Sequence, residues 1–122
     1  MKWEIAFHEE FEPEFDGLPE MVQDELLAHA KLLETVGPQL GRPWADTLKG
    51  SSHANLKELR FGADGSVWRI AFAFDPSRRA ILLVGGDKAG ESEKRFYKDL
   101  IRKADKRFDS HLAKLEKKDR KA

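Results

Sequence analysis

Residues Leu56–Phe74, LKELRFGADGSVWRIAFAF, decide the fold of this chain. Glycine and aspartate are the residues that tight reversals of the backbone require, and they cluster at Gly62-Ala63-Asp64-Gly65. β-Branched and aromatic residues follow from Ser66 to Phe74, as is typical of a strand. The stretch therefore predicts a β-hairpin whose first strand is Leu56–Phe61 and whose second strand is Ser66–Phe74.

The two faces of this predicted hairpin differ in chemistry, because successive strand side chains point to opposite faces. One face collects large apolar residues that can pack onto a core, namely Leu59, Phe61, Trp68, Ile70, Phe72 and Phe74. The other face brings together Glu58, Arg60 and Arg69, and the small residues Ala71 and Ala73 leave room in front of them. Two guanidiniums and a carboxylate on a rigid sheet suit an anionic ligand such as a phosphate. The alternative is an ordinary solvated face with a cross-strand ion pair.

Hydrophobic periodicity predicts the remaining elements. In chain order they are a strand at Lys2–His8, an acidic loop or helix lead-in at 9–17, a helix at about 19–35, a short helix around 43–48, a buried strand at Ala80–Val84, a flexible loop at 85–90 and a long helix at about 91–112. The predicted order is β-α-α-β-β-β-α, with an antiparallel meander over residues 56–85. We expect one α+β domain over residues 1–113, followed by a frayed charged tail at 114–122.

Composition restricts the class of protein. The chain has 122 residues, which is enough for one domain with a real core, and it contains no cysteine for disulfides or thiolate chemistry. We expect a cytoplasmic protein, since no apolar run reaches membrane length and no signal-peptide pattern is present. Residues 1–55 hold 11 acidic and 4 basic residues, whereas residues 56–122 hold 11 acidic and 18 basic residues. The basic half could meet nucleic acid or an acidic partner, or it could be complemented by the acidic half.

Four further features are candidates for a site. The segment GGDKAG is not a phosphate-binding P-loop, but it could bring Lys88 to the edge of the charged face. None of the four histidines has metal-ligand spacing, so we expect no metal, and only His53 lies near the candidate site in sequence. Tyr97 could stack on a base or could simply pack. The stretch Lys94–Arg107 holds seven Lys and Arg residues, a pattern that is usually a solvated helix face, although Lys94 is a candidate substrate contact.

The order of elements and the run LKELRFGADGSVWRIAFAF…AILLVGGDKAGESEKRFYKDLIRKA resemble a known family. They are similar to the RelE/ParE superfamily of bacterial toxins from type II toxin–antitoxin pairs, and most of all to its HigB-like branch of phage-derived Gp49-like proteins. The resemblance covers nearly the whole chain and is strongest from Leu56 to about Asp105. It implies a compact α+β domain with a curved antiparallel sheet and helices packed against it.

The resemblance also implies an activity. RelE-like members enter the ribosomal A site and cut mRNA without a metal or other cofactor, by attack of the 2′-hydroxyl on the adjacent phosphate. Arg60 and Arg69 match basic positions of the family, and Lys88 falls near a third. Tyr97 falls near a base-stacking or catalytic tyrosine of some members. The implied partners are the ribosome, mRNA and an antitoxin with a helix-turn-helix domain, with no membrane.

Position 58 departs from the family pattern, because Glu58 stands where RelE has a lysine. A carboxylate general base is a natural replacement, and some members of the superfamily use one. Lys57 points to the opposite strand face, so it ranks below the two arginines as a substrate contact. Alternatives to a ribosome-dependent endonuclease are a ParE-like inhibitor of DNA gyrase and a protein that binds a partner without catalysis.

Overall fold

The structure is a computed structural model that describes residues 2–121, with side chains described through residue 118. In this range the elements are β1 (Glu4–Phe7), α1 (Phe11–Asp16), α2 (Glu20–Val36), a 3-10 helix (Gly37–Gln39), β2 (Ala45–Thr47), β3 (Lys57–Ala63), β4 (Ser66–Phe74), β5 (Arg79–Asp87) and α3 (Glu93–Lys121). The predicted α+β class is confirmed, and the helices predicted at about 19–35 and 91–112 are present as α2 and α3.

The sheet has the strand order β1-β5-β4-β3-β2. Strands β3, β4 and β5 form the predicted antiparallel meander. Strand β1 pairs with β5 in parallel, so the sheet departs from the predicted antiparallel pairing at this one edge. These two strands are far apart in the chain, and no tight turn between them sets their relative direction.

Helices cover both faces of the sheet. Helices α1 and α2 pack on the face that carries Ile70 and Phe72, while α3 packs on the face that carries Ala71 and Ala73. Both alanines are fully buried, so the expectation of open space in front of them was wrong. Their small side chains instead allow the apolar stripe of α3 to approach the strands, and Phe96 lies in the same cluster.

One local prediction was wrong. The segment around 43–48 contains strand β2 instead of a short helix, because Ala45–Thr47 pairs with β3 at the edge of the sheet. Here tertiary contacts override weak local propensity. The acidic segment at 9–17, predicted as a loop or helix lead-in, contains the short helix α1 before α2, and α1 buries Phe11 in the core.

The hairpin has the predicted bounds for its second strand, and β3 extends two residues beyond the predicted first strand. Asp64 and Gly65 have φ angles of 51° and 76°. Positive φ at both central residues is what a two-residue hairpin turn requires if it is to match the right-handed twist of the two strands. Strand β5 continues through Asp87, so half of the predicted flexible loop belongs to the sheet.

Helix α3 continues through residues 114–121, which were predicted as a frayed tail, and residue 122 lies outside the described residues. Among residues 2–121 no helix combines the length and apolarity needed to cross a bilayer. The division into a domain and a tail therefore stays a prediction, although the backbone of the tail is helical.

Candidate functional site

A chain of hydrogen bonds joins three of the predicted site residues. Arg69 Nε donates to the Tyr97 hydroxyl oxygen at 2.8 Å. The Tyr97 hydroxyl in turn donates to the Glu58 carboxylate, with distances of 2.9 Å to Oε1 and 3.2 Å to Oε2. Strands β3 and β4 supply the two charged groups, and the first turns of α3 supply the tyrosine between them.

The two charged members of this chain are buried beneath α3. Glu58 is 5% exposed and Arg69 is 4% exposed. The Arg69 guanidinium lies 5.5 Å from the ring centroid of Phe96 and 5.6 Å from that of Tyr97, and its Nη1 donates to the Val67 carbonyl oxygen. A buried ion is stable only when it is hydrogen-bonded and compensated, so this network holds both side chains in fixed positions.

Burial changes the acidity of two groups in the network. Loss of water raises the pKa of Glu58 above its ordinary value, although the Tyr97 hydrogen bond and the charges of Arg60 and Arg69 oppose the rise. Burial and the neighbouring Glu58 carboxylate raise the pKa of Tyr97, which therefore stays protonated and acts as a donor. A carboxyl group with a raised pKa is better matched to proton exchange near neutral pH.

Two more cations lie beside the network. Arg60 is exposed and is the direct cross-strand neighbour of Arg69. Lys88 follows β5 and shares a cavity of about 210 Å³ with Arg69. Like charges on directly opposite strand positions repel each other, so an anion bound between these cations would relieve an existing repulsion. The rest of the cavity lining is Ser66, Val67, Asp87 and Ala89.

The structure does not bring the other predicted residues into this network. His53 binds Asp109, which lies twelve residues beyond Tyr97 on α3, or about 18 Å along the helix axis. The Lys57 ammonium donates to the Pro38 carbonyl on the other face of the sheet. Lys94 is exposed on the first turn of α3, three residues before Tyr97, and makes no hydrogen bond or ion pair to any described residue.

Sequence reasoning missed Asp46, which pairs with Glu58 across β2 and β3 and contributes to the raised pKa of Glu58. A helix at 43–48, as predicted from the sequence, gives no reason to expect contact between Asp46 and Glu58, because only strand pairing puts these residues side by side. A larger cavity, of about 690 Å³, lies elsewhere, between α2 and the turn of the hairpin. Among the side chains of residues 2–118 no three from His, Asp or Glu converge on a position for a metal ion.

Comparisons with known proteins place the chain among a group of relatives. A family model described as phage derived protein Gp49-like matches residues 13–109. The putative toxin HigB2 of Mycobacterium tuberculosis is 46% identical over 102 residues, which are 83% of this chain and 50% of that protein. The putative toxin HigB3 of the same organism is 54% identical over 82 residues, which are 67% of this chain and 69% of that protein. The chain thus spans about half the length of HigB2.

One solved structure shares the fold. It is the free state of a double mutant of the Escherichia coli toxin RelE, with a TM-score of 0.61 and 14% sequence identity. The match covers 84% of this chain and 97% of that one. The likeness confirms the predicted RelE-like architecture of a sheet with helices packed on it.

Proposed function

Since this chain belongs to the phage-derived Gp49-like family, as the sequence resemblance predicted, we propose that it is the toxin of a type II toxin–antitoxin pair and acts as a ribosome-dependent mRNA endonuclease. The names of the two mycobacterial relatives, both putative HigB toxins, support the first part of this proposal. The arrangement of charged groups around Tyr97 supports the second part.

The observation that carries the proposed reaction is the hydrogen-bonded chain from Arg69 through Tyr97 to Glu58. It fixes a carboxylate of raised pKa next to a preorganised guanidinium, with Arg60 and Lys88 at its border. A proton acceptor beside fixed positive charge is what cleavage of RNA through its own 2′-hydroxyl requires.

In the proposed reaction Glu58 removes the proton of the 2′-hydroxyl. The 2′-oxygen forms a bond to the adjacent phosphorus, and the bond from phosphorus to the 5′-oxygen of the next nucleotide breaks. The leaving oxygen takes a proton from solvent, and a 2′,3′-cyclic phosphate remains. Arg69 and Arg60 stabilise the extra negative charge on the phosphate in the transition state, while Lys88 neutralises the leaving oxygen.

The cavity shared by Arg69 and Lys88 is the proposed entry for the phosphate. Arg69 is buried, so the phosphate meets its guanidinium through this cavity and not across an open face. Burial of Arg69 strengthens its interaction with the anion, because little water competes for the guanidinium.

The proposed partners follow from the same assignment. An antitoxin with a helix-turn-helix domain binds the toxin in the cytoplasm and neutralises it, in part through the basic half of the chain. The exposed basic residues near the site, among them Lys94 and Arg95 on the first turn of α3, are suited to contact RNA phosphates.

The test compares cleavage of a defined mRNA with and without programmed ribosomes, beside a supercoiling assay with DNA gyrase. We expect cleavage only with ribosomes and unchanged supercoiling. The Glu58→Gln variant serves as the inactive protein, and Arg102→Ala, which removes an exposed arginine paired with Asp99 on α3, serves as the active control. Inhibition of supercoiling without any RNA cleavage would show that the protein acts on gyrase instead.

A further inference from the structure

A second cavity, of about 480 Å³, lies next to the charged network, and of its lining residues only Arg60 has a role in the proposed reaction. Its lining is Arg42, Pro43, Ala45, Asp46, Arg60, Phe61, Gly62 and Val67. It touches the cavity of Arg69 and Lys88 through Val67, which lines both. Whatever occupies it is therefore an immediate neighbour of a phosphate held by Arg69.

Strand register puts the polar wall of this cavity on the same face as the proposed catalytic groups. Asp46 pairs with Glu58, and Arg60 pairs with Arg69. Residues that pair across adjacent strands project to the same side of the sheet. A nucleotide whose phosphate reaches Arg69 could thus put its base, or that of its neighbour, over this wall without crossing the sheet.

The wall is rich in hydrogen-bond donors. Arg42 binds Asp46 Oδ2 through Nε at 2.9 Å and through Nη2 at 2.8 Å, while Asp46 Oδ1 accepts the Thr47 backbone N–H. The Arg42 hydrogen bond holds the pKa of Asp46 below its ordinary value, so the pair is ionised and the guanidinium is oriented. Arg42 Nη1 makes no hydrogen bond to any described residue, and the exposed Arg60 guanidinium lies at the same cavity.

The remainder of the lining is mostly apolar, and the absence of a side chain at Gly62 leaves part of the cavity open. Pro43 and Val67 supply apolar surface, and Val67 is 46% exposed, while the Phe61 side chain is buried on the opposite face of the sheet against His29 of α2. Gly62 lies opposite Val67, and a Cβ built on it would meet only the Ser66 carbonyl oxygen, at 4.0 Å. Apolar surface with a few directed donors at its border is the usual form of a site for a flat ring.

We propose that this cavity, the base cavity, binds the nucleobase next to the scissile phosphate and prefers guanine. The inference rests on the proposed function, because it takes the neighbouring network as the site of the phosphate. Guanine presents two acceptors, O6 and N7, on one edge, and arginine is the side chain that most commonly binds that pair. The Arg42 guanidinium, whose Nη1 makes no hydrogen bond to a described residue, therefore favours guanine over bases that present an amino group on that edge.

Two substitutions remove the base cavity in different ways. Arg42→Ala removes the oriented donor from an exposed position, and Gly62→Val fills the space from a strand position that tolerates a β-branched residue. Arg102→Ala is the matched control, since Arg102 is also an exposed arginine in a local ion pair with an aspartate. Thermal melts of all three variants should match the parent.

The first experiment needs no ribosome. Guanosine, adenosine, cytidine and uridine 5′-monophosphates are titrated into ¹⁵N-labelled protein, and the side-chain Nε–Hε signals of Arg42 and Arg60 are followed. We expect guanosine monophosphate to bind roughly tenfold more tightly than the others. The preference should disappear in Arg42→Ala and Gly62→Val and should persist in Arg102→Ala.

The second experiment measures cleavage on ribosomes programmed with a panel of codons. The parent and Arg102→Ala should favour cleavage next to guanine, whereas Arg42→Ala and Gly62→Val should lose that preference. If the nucleotide preference is present and no codon is cut, the base cavity stands and the proposed endonuclease fails. If the parent prefers another base, or if cleavage and nucleotide preference are unchanged in both cavity variants, the assignment of the base cavity is overturned.

Discussion

At the residue scale, Arg69 is buried in the fold and is also the proposed contact for an external phosphate. The residue is 4% exposed and its guanidinium lies against Phe96 and Tyr97, yet the proposed reaction needs the guanidinium to meet an external phosphate. The aromatic contacts and the bond to Tyr97 hold the planar group in one orientation. The guanidinium donors that remain can then face the cavity without reorganisation during the reaction.

We expect Arg69→Ala to lower the cleavage rate on ribosomes by roughly 10²–10³, as the loss of one preorganised donor does. Because the side chain is buried, the variant should also melt earlier than the parent. Arg69→Lys keeps the charge but loses the planar fork, so it should restore only part of the rate. Single-turnover cleavage well below the melting temperature separates the two effects, and near-parent cleavage by Arg69→Ala there would contradict the phosphate role.

The raised pKa of Glu58 should determine how the cleavage rate depends on pH. We expect the single-turnover rate to rise with pH through an inflection above the ordinary glutamate value of 4.5, because the general base must be deprotonated. Glu58→Gln should remove both the inflection and most of the rate. An unchanged pH profile in Glu58→Gln would show that another group is the base.

The same shift predicts an effect on stability. The folded state binds the Glu58 proton more tightly than the unfolded state, so its contribution to the free energy of unfolding is favourable below pH 4.5 and declines as the pH rises through the folded pKa. At neutral pH the neutral amide of Glu58→Gln should therefore be at least as stable as the parent. Denaturant melts at pH 4 and pH 7 check this sign.

Tyr97 should act by positioning the other two groups. In Tyr97→Phe the Glu58 carboxylate loses the hydrogen bond that lowers its pKa, so the inflection of the rate should move to higher pH. Two buried polar groups also lose a partner, which should cost about 1–3 kcal/mol in the free energy of unfolding. A lower rate with an unmoved inflection would assign Tyr97 to substrate stacking instead.

At the element scale, the contact between α3 and the hairpin forms the site. The helix carries Phe96 and Tyr97 in adjacent positions, and the alanines of β4 let the helix approach closely enough for both rings to reach Arg69. The site therefore depends on a distance between two elements as well as on its own residues.

Ala71→Leu tests this dependence. Ala71 is fully buried against α3, so the larger side chain should cost about 1–3 kcal/mol and displace the helix. Cleavage should fall with it, although no proposed catalytic residue is altered. Val67→Leu is the control for stability, since Val67 projects from the same face of the same strand but is 46% exposed. Equal melting of the two variants would show that α3 does not constrain the strand.

At the scale of the whole molecule, the charge asymmetry is partly neutralised within the fold. Arg107 on α3 binds both carboxylate oxygens of Glu14 on α1, at 2.9 and 2.6 Å, and Lys114 binds Glu9. These contacts join the basic half to the acidic half. The exposed cations near the site, Arg60 and Lys94, remain for an external partner.

We expect induced expression of the chain in bacteria to stop growth by blocking protein synthesis, and coexpression of its antitoxin to restore growth. Pulse labelling with radioactive amino acids measures the effect directly. Glu58→Gln is the matched control, because it should fold and bind the same partner without arresting translation. Normal protein synthesis in cells that contain the folded parent would contradict the proposed role.

The local hydrophobic pattern was sufficient to predict the elements in which apolar residues recur with a clear period. The alternation of Ser66–Phe74 and the apolar stripe of α3 predicted β4 and the last helix, and the same alternation correctly put Glu58, Arg60 and Arg69 on one face. Weakly patterned segments were predicted wrongly, since the three residues of β2 become a strand only through pairing with β3.

By itself, the sequence determined the α+β class, the hairpin and the set of charged residues that share its face, because periods of 2 and 3.6 residues are properties of the local chain. Only the tertiary structure decided that α3 covers that face, that Tyr97 links Arg69 to Glu58, and that Asp46 lies beside Glu58 while His53 does not. These contacts join residues far apart in the chain, and packing of whole elements sets the distances between them.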